Sequence, residues 1–461
     1  MEDHLTSSNY QHREKKMKNN NTLLLALGIT GLASLGAQAQ NPLIMDQFTA
    51  DPSAHVFEGK IYVYPSHDIP APEGVRQDWF CMEDYHVFSS ENLIDWTDHG
   101  VMFNQTNVTW LNRKGYDMWA PDCVEKDGTY YFYFPAGGRT GVATSPTPHG
   151  PWKVLDQPVN GPRGIDPCVF IDDDGSYYMF TGGISVGKLR DNMVEVENKQ
   201  GQIGQERIAN LPTPGLIEGS WTFKRNGKYY LTFPHAVRNE QGQEAERLEY
   251  CMADNVWGPY TWMGVILDQS ESGCWTVHHS ILEYKDQWYL FYHDRDLSPD
   301  FDKNRSIRAD FLYFNEDGTI KKVIPTLRGV GTPSAKSKLQ IDRYSAISEN
   351  GAKVDYINRE DTFKGWKTIM TEEKAWIKFD RVDFGKKDLK SVTVQASSAE
   401  GASVEIRLGK EDGTLLTTVE IPKSEEMKAA TAALKTIPEG EKDLVVVLTK
   451  GKAEIDWVSF E

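Results

Sequence analysis

The chain has 461 residues, of which 39% are hydrophobic and 11% aromatic, and it carries a formal net charge of -17. That length is sufficient for one large domain and a second, smaller one. The negative charge argues against nucleic acid or an anionic membrane surface as the partner, because both would repel the protein.

The first 39 residues have the pattern of an export signal. The basic stretch Lys15–Lys18 precedes an apolar run, Leu23–Leu35, and the small residues Ala37–Ala39 follow. This order is typical of a cleavable signal peptide, and Met17 is a better start than Met1. The apolar run is too short to span a bilayer comfortably, and no other stretch could do so. We therefore predict an extra N-terminus and signal peptide over residues 1–39 and a secreted or periplasmic protein without a membrane span.

Beyond residue 40, a tight turn followed by an aromatic strand recurs five times. Asp-Gly, Asn-Gly and Glu-Gly pairs supply the positive φ angles of hairpin turns, and the fifth copy has lost its glycine. The turn positions are 59, 128, 175, 227 and 286. Each interval is close to the length of one four-stranded blade. The pattern predicts an all-β fold with a five-bladed β-propeller over residues 40–331.

The strand before each turn carries a polar group at a similar place. These groups are Asp51, Asp122, Asp166, Glu218 and the pair His278-His279. The innermost strands of a propeller run along its central channel, so equivalent positions converge on one axis. Crowded carboxylates repel one another and must be paired, protonated or used in chemistry.

The five cysteines are an odd number, which rules out complete pairing within the chain. They are Cys81, Cys123, Cys168, Cys251 and Cys274. No spacing typical of a metal site appears among them. The pattern favours small buried thiols over a disulfide framework.

The pattern changes near Leu327, where a turn-rich stretch reaches Ser334. Short alternating strands follow to the end of the chain, as in Val404–Leu408 and Leu444–Val447. Such strands indicate a β-sandwich, which we place at residues 340–461 with a jelly-roll-like form.

Five short motifs give the N-terminal segment a resemblance to glycoside hydrolase family 43. They are Ala50-Asp51-Pro52, Trp119-Ala120-Pro121-Asp122, Ile165-Asp166-Pro167, Glu218-Gly219 and His278-His279-Ser280. Each alone is weak, but five in order at blade spacing are specific. The C-terminal segment resembles carbohydrate-binding module family 6 through Ile377–Gly385, Val404–Leu408 and Ile455–Phe460.

The family 43 resemblance implies three acidic catalytic residues. Asp51 would be the general base, Glu218 the general acid, and Asp166 would tune the pKa of Glu218 and orient the substrate. Inverting hydrolysis needs an ionised carboxylate and a protonated acid roughly 6.5–9.5 Å apart, with water between base and sugar. A nearby negative charge would help to keep Glu218 protonated.

The resemblance also implies less specific roles around the channel. Trp119 could stack on sugar or belong to the core of its blade, and Trp79 with Phe80 could shape a subsite or be buried in their loop. Asp122 could contact substrate, brace the site or cap a strand. Either Arg305 or Arg308 would be the arginine that contacts substrate. No cofactor is required. A structural calcium ion near an axial histidine, His278, is an alternative to a hydrogen-bonded core histidine.

Three functions remain open from the sequence. The first is an inverting enzyme that releases arabinose or xylose from plant cell-wall polysaccharides or oligosaccharides, of α-L-arabinofuranosidase or β-xylosidase type. The second is a retaining fructan-type or a β-galactan-active propeller glycosidase, although Pro52-Ser53-Ala54 after Asp51 lacks the fructan-type Asn-Asp-Pro-Asn run. The third is a non-catalytic carbohydrate-binding propeller.

The C-terminal segment departs from its family at one position. Glu454 stands where family 6 modules commonly have an asparagine that bonds sugar. An exposed aromatic pair for stacking on a sugar is not obvious, and Tyr356 and Trp366 are candidates. Sugar binding by this segment and a scaffold role are both open.

Overall fold

The computed structural model describes residues 40–112, 114–162, 164–209, 211, 217–238, 242 and 244–461. Over these residues the chain forms 30 β-strands and two short 3-10 helices, Gln105–Asn107 and Thr362–Lys364, without an α-helix. The prediction of an all-β protein is therefore confirmed. None of these helices is long and apolar enough to cross a membrane. The predicted signal peptide lies outside the described residues.

The N-terminal part of the described chain forms five sheets, and each is built from strands that follow one another in sequence. The first sheet contains β1 (Phe48–Phe57), β2 (Lys60–Asp68), β3 (Asp84–Ser90) and β4 (Thr97–Asn104), and the second β5 (Asp122–Lys126), β6 (Thr129–Ala136), β7 (Arg139–Ser145) and β8 (Lys153–Val154). The third contains β9 (Cys168–Ile171), β10 (Tyr177–Thr181), β11 (Ser185–Leu189), β12 (Val196–Glu197) and β13 (Glu206–Arg207). The fourth contains β14 (Trp221–Arg225), β15 (Lys228–Arg238), β16 (Glu244–Ala253) and β17 (Thr261–Leu267), and the fifth β18 (His279–Tyr284), β19 (Gln287–Asp294) and β20 (Ser306–Leu312).

The repeated turns join the first two strands of each sheet. Gly59, Gly128 and Gly227 have φ angles of 75–78°, and the residue before each also has a positive φ. Two consecutive residues with positive φ are the mark of a type I′ hairpin. The fifth turn keeps this geometry without glycine, since Lys285 and Asp286 have φ angles of 50° and 62°.

The first strands of the five sheets contact one another in sequence, from β1 through β5, β9, β14 and β18, and β18 returns to β1. The chain that leads into β1 also lies along β20. The Leu43 amide donates to the Ile307 carbonyl at 2.8 Å, and the Thr49 amide donates to the Arg305 carbonyl at 2.9 Å. The residues at and before the start of β1 thereby extend the fifth sheet.

The rest of the chain forms two five-stranded sheets. Its strands are β21 (Ala346–Ile347), β22 (Ala352–Tyr356), β23 (Trp366–Met370), β24 (Trp376–Asp383), β25 (Ser391–Ser398), β26 (Ala402–Leu408), β27 (Thr414–Ile421), β28 (Ser424–Ala433), β29 (Glu441–Lys450) and β30 (Ala453–Phe460). One sheet has the order β21-β24-β29-β26-β27 and the other β22-β23-β30-β25-β28. Their apolar core draws only on residues from Ala335 to Phe460.

Buried polar contacts join this C-terminal part to the five sheets, and all described residues belong to one compact unit. The Arg343 guanidinium, which is 4% exposed, donates to the Asn41 carbonyl. Arg328 forms an ion pair with Asp380 at 3.0 Å. The Tyr356 hydroxyl donates to the Asp296 carbonyl at 2.7 Å, in the connection between β19 and β20.

All five cysteines are free and buried, as predicted. Burial raises the pKa of the Cys251 thiol to about 12, and the charge of Glu249 adds to this effect. Burial also raises the pKa of Cys81, to about 11. These thiols are therefore protonated at neutral pH and behave as packing groups.

Candidate active site

A cavity of about 290 Å³ opens where the first strands of the sheets begin. Most of the residues predicted for the site line it. Its walls contain Asp51, Trp79, Phe80, Met82, Trp119, Ala120, Ile165, Asp166, Glu218, Pro234, Glu246, Trp275, Thr276, His278 and Arg305. The structure therefore brings together the three predicted catalytic acids and adds a fourth carboxyl group, that of Glu246.

Asp51 lies at an irregularity in β1. The pairing with β2 is regular up to Ala50 and resumes at Ser53, so Asp51 and Pro52 are outside the ladder. Asp51 has a φ of 46°, a left-handed conformation that aspartate tolerates better than most residues. Its amide donates to His293 Nδ1 at 3.0 Å. Such bulges redirect side chains at the ends of strands, and this one places Asp51 in the cavity wall.

Arg305 holds the Asp51 carboxylate from the neighbouring sheet. Its Nη1 lies 2.9 Å from Asp51 Oδ1 and its Nη2 lies 3.3 Å from Oδ2. A second carboxylate, Asp68, fixes the same guanidinium through Nε and Nη2, each at 2.9 Å. The Ser66 hydroxyl donates to Asp51 Oδ2 at 2.5 Å. Asp51 is thus fully bonded on the side away from the cavity.

This environment keeps Asp51 ionised. Burial raises the pKa of Asp51, but other groups, of which the Arg305 charge is the strongest, outweigh it, and the pKa is lowered to about 2. Burial lowers the pKa of His293 to about 3, and it also lowers the pKa of His278. Both imidazoles are therefore neutral at neutral pH, and Arg305 is the cation that stabilises the carboxylate there.

We expect Arg305→Lys to lower kcat/KM by about ten- to a hundredfold, because an ammonium group cannot bridge two carboxylates as a guanidinium does. Weaker pairing raises the pKa of Asp51, so the acidic limb of the pH profile of kcat/KM should move to higher pH. The matched control is Lys303→Met, which removes a cation 5.4 Å from the Phe80 ring. An acidic limb that stays in place in Arg305→Lys would contradict the pairing.

Three further carboxyl groups share the cavity and its burial. Asp166, with a φ of 54°, precedes β9, and Glu218 precedes β14. The backbone between Glu218 and β14 is constrained, because Gly219 has a φ of 53° and a Cβ there would lie 2.8 Å from His278 Cε1. Any other residue would need this left-handed backbone and a shift of the His278 ring, which favours glycine. The Gly219 amide donates to the Asp166 carboxylate.

Glu246, on β16, was not predicted from the sequence. Its side chain is buried, and the Val277 amide donates to its Oε2 at 3.1 Å. A hydrogen bond links it to Glu218. A signal was present, because Glu246, Leu248 and Tyr250 alternate along the strand and are all buried. An acid in phase with buried apolar residues marks a buried carboxyl group.

These three groups resist ionisation. Burial raises the pKa of Glu218, and the charge of Asp51 raises it further, while the hydrogen bond from Glu246 and the charge of Arg305 act in the opposite direction. Burial raises the pKa of Asp166 well above its ordinary value, with Glu218 and Asp51 adding to the effect. Burial likewise raises the pKa of Glu246, and the charge of Glu218 contributes. The cavity therefore combines Asp51, whose pKa is lowered, with three carboxyl groups whose pKa values are raised.

Aromatic side chains form one wall of the cavity. Phe80 stacks on Trp275 with ring centroids 6.2 Å apart, and Trp79 lies 5.4 Å from Phe80. The Arg305 guanidinium lies 4.6 Å from the Phe80 ring centroid. Trp119 also lines the cavity. Such faces suit the C–H surface of a sugar ring. Trp275 was missed, because it lies in a connection before β18 without a repeating pattern.

Asp122 lies outside the cavity wall, so the structure does not place it where it could touch a ligand. Its carboxylate, 1% exposed, accepts hydrogen bonds from Ser53 and His55 at 2.7 Å. It also accepts a bond from the Val169 amide at 2.5 Å. Asp122 thus holds β1, β5 and β9 together, so its place in the structure is that of a bracing group.

Arg308 is also absent from the cavity wall. Its Nη1 lies 3.1 Å from Asp294 Oδ2, and its Nη2 donates to the Thr326 carbonyl at 3.0 Å. Of the two arginines considered from the sequence, Arg305 is therefore the one at the site. Arg305 immediately precedes β20 and Arg308 lies within it. Positions an odd number of residues apart face opposite sides of an extended chain, which explains the difference.

His278 lines the cavity, with Nδ1 3.7 Å from Asp51 Oδ1. Calcium takes six to eight oxygen ligands. The carboxylate beside His278 is that of Asp51, whose two oxygens already accept bonds from Arg305 and Ser66. The described protein groups at this place do not by themselves supply the oxygen ligands of a calcium ion, and we derive no step through one.

Comparison with known proteins assigns the chain to a family. Residues 39–320 match the profile of the glycosyl hydrolases family 43, and residues 346–461 match that of carbohydrate binding module family 6. The first match covers more than half of the chain. This protein belongs to glycoside hydrolase family 43 and carries a family 6 segment at its C-terminal end.

Three relatives illustrate the similarity. The chain is 35% identical over 331 residues to xylosidase/arabinosidase 43A of Humicola insolens, covering 60% of this chain and 98% of that protein. A family 43 β-xylosidase/α-arabinofuranosidase from a compost microbial metagenome, CoXyl43, solved with xylotriose in a calcium-free form, is 36% identical with a TM-score of 0.53, covering 62% and 98%. An arabinoxylan arabinofuranohydrolase of Bacillus subtilis, solved with cellotetraose, is 22% identical with a TM-score of 0.56 and covers 92% and 99%, which bears on the fold alone.

Proposed function

We propose that this chain is an exported, inverting glycoside hydrolase that releases arabinose or xylose from plant cell-wall polysaccharides or oligosaccharides. The observation that carries the proposal is that one cavity holds Asp51, whose pKa is lowered to about 2, and Glu218, whose pKa is raised by burial and by the charge of Asp51. Two carboxyl groups with opposite protonation states are what general acid–base hydrolysis of a glycoside requires. The pentose preference rests on relatives described as xylosidases and arabinosidases.

In the proposed mechanism, Asp51 accepts a proton from a water molecule as the water oxygen attacks the anomeric carbon. Glu218 donates its proton to the glycosidic oxygen as the bond to that carbon breaks. The sugar leaves with inverted configuration. No cofactor is needed for these steps. A structural calcium ion beside His278 remains a prediction, and water would have to supply most of its ligands.

Asp166 and Glu246 surround the acid and have separate proposed roles. Asp166 accepts a hydrogen bond from the Gly219 amide, next to Glu218, and its proposed role is to orient the acid and the substrate. The charge of Asp51 favours the protonated form of Glu218 before reaction. Glu246, whose pKa is raised by burial, donates a hydrogen bond to Glu218 in its protonated form. That bond stabilises the carboxylate that Glu218 becomes after it has given up its proton.

The proposed architecture is a five-bladed β-propeller over residues 40–331 followed by a β-sandwich over residues 340–461. The cyclic contacts of β1, β5, β9, β14 and β18 support the propeller, since the first strands of its blades surround one axis. Two antiparallel sheets around one apolar core support the sandwich. The small cavity volume suits a terminal sugar rather than the interior of a long chain.

Proton NMR during hydrolysis tests the proposal. The purified chain would be given an aryl α-L-arabinofuranoside or an aryl β-D-xyloside, and the anomeric signal of the first product would be followed. We expect one sugar to be released, with α-D-xylose appearing first from the β-xyloside. Retention would make Asp51 a nucleophile and support a fructan-type reaction. No release from either substrate, with binding intact, would support the non-catalytic alternative.

A further inference from the structure

Two histidines and an aspartate form a cluster on the first sheet that the proposed reaction does not use. His67 lies on β2, and Asp84 and His86 lie on β3. One ligand atom from each lies within 4.8 Å of the others. Within the described part of the chain, this is the only such group of three metal-ligating side chains.

The register of the strands explains why these residues meet. Ser66 pairs with Tyr85 across the antiparallel strands β2 and β3, so His67 faces Asp84 in the next position. Side chains alternate along a strand, which places Asp84 and His86 on the same face. The cluster is therefore fixed by regular sheet structure and not by a loop.

The geometry within the cluster suits a metal ion. His67 Nδ1 lies 2.6 Å from Asp84 Oδ1, and the rings of His67 and His86 are 4.9 Å apart. The side chains of His67, Asp84 and His86 are 13–19% exposed, so an ion could reach them from solvent.

Asp98 holds His86 in the manner of an outer-shell partner. Both Asp98 oxygens lie 3.1 Å from His86 Nδ1, which leaves Nε2 for a ligand. Asp98 is itself bonded, by the Gly100 amide at 2.7 Å and by Gln47 at 3.1 Å. A carboxylate that orients the second ring nitrogen is the usual companion of a metal-bound histidine.

We propose that His67, Asp84 and His86 bind one divalent transition-metal ion, for which Zn²⁺ is the natural probe. Two imidazoles and one carboxylate form a ligand set that suits zinc, whereas calcium and magnesium prefer oxygen ligands alone. Water completes the coordination at the solvent side.

The position of this site suggests what the ion does. His67 lies between Ser66 and Asp68, whose side chains hold Asp51 and Arg305. Because side chains alternate along β2, the ion lies on the face of the strand opposite to the base. A bound ion joins β2 to β3 and braces the strand that positions Asp51.

Equilibrium dialysis of the metal-free full chain against ZnCl₂, followed by elemental analysis, tests the site. We expect the unchanged chain to bind one more zinc ion than His67→Ala, His86→Ala or Asp84→Asn. Zinc should raise the Tm of the unchanged chain by several degrees and that of His86→Ala by less, because binding to the native state stabilises it. The matched control is His149→Ala, which removes a histidine stacked on His99 at 4.7 Å. It should bind zinc like the unchanged chain.

Cobalt(II) supplies an independent readout. Cobalt bound to two imidazoles and a carboxylate gives visible absorption, which should be present in the unchanged chain and lost in His86→Ala. Metal bound elsewhere is common to all variants, so only the difference between them measures this site. Equal zinc stoichiometry and equal cobalt spectra in the unchanged chain and in His86→Ala would overturn the proposal.

Discussion

Asp51→Asn is expected to lower kcat by about 10²–10⁴-fold, because the amide has no basic oxygen to accept the proton of the attacking water. The amide is nearly the same size as the carboxylate and still accepts a hydrogen bond from Ser66. The measurement is kcat on an aryl β-D-xyloside and an aryl α-L-arabinofuranoside, with thermal unfolding followed by circular dichroism to verify the fold.

The matched control for Asp51→Asn is Asp68→Asn. Asp68 is the other carboxylate on Arg305 and lies outside the cavity wall. It orients the guanidinium but does not reach the substrate, so a loss of about tenfold is expected, as for a positioning residue. If both variants lost activity equally, the ion pair and not the basicity of Asp51 would be the critical feature.

Glu218→Gln is expected to show an effect that depends on the leaving group. Hydrolysis of xylobiose, whose leaving alcohol needs protonation, should fall by about 10³–10⁴-fold, at the upper end of what general acid catalysis supplies. Hydrolysis of a dinitrophenyl xyloside, whose leaving group departs unprotonated, should fall much less. The alkaline limb of the pH profile should also disappear, because that limb reports the deprotonation of the acid.

Glu246→Gln is the matched control for this substitution. It removes a carboxyl group from the same cavity, and its amide can still donate a hydrogen bond to Glu218. We expect xylobiose hydrolysis to be retained within about tenfold. An equal loss on both leaving groups in Glu218→Gln would show that Glu218 does not act as the acid.

Local signals made the sheets predictable. A turn pair such as Asn226-Gly227 predicts a hairpin, because both residues readily adopt positive φ angles. The strand that follows is recognised from the alternation of its own residues, without knowledge of distant contacts. The fifth turn shows that the geometry survives where the glycine does not, since Lys285 and Asp286 adopt the same left-handed angles.

The site was only partly predictable from the sequence, because its residues come from different strands and connections of the sheets. Asp51, Asp166 and Glu218 share one position relative to the repeated turns, and that shared position reveals them. Glu246 belongs to a third strand and Trp275 to a connection, so no shared position marks them.

A polar residue at the expected position was not sufficient to identify a ligand contact. Asp122 has such a position, yet its hydrogen bonds to Ser53 and His55 give it a structural place. Whether a buried carboxylate faces the cavity or only holds strands together depends on the groups that bond it. Those groups are distant in sequence. Arg305 lies 254 residues from Asp51.

The buried contacts between the two parts of the chain bear on how such enzymes can be recombined. Arg343 is buried against the Asn41 carbonyl, and Tyr356 bonds the connection that leads towards Arg305. A sugar-binding attachment on a free tether could be exchanged by gene fusion without cost to its neighbour. Here, a chimera joined between residues 331 and 340 would lose the bond from Arg343 to the Asn41 carbonyl. It would also lose the bond from Tyr356 to the connection between β19 and β20. Transplanting either part of this chain therefore requires transplanting the surface that joins them.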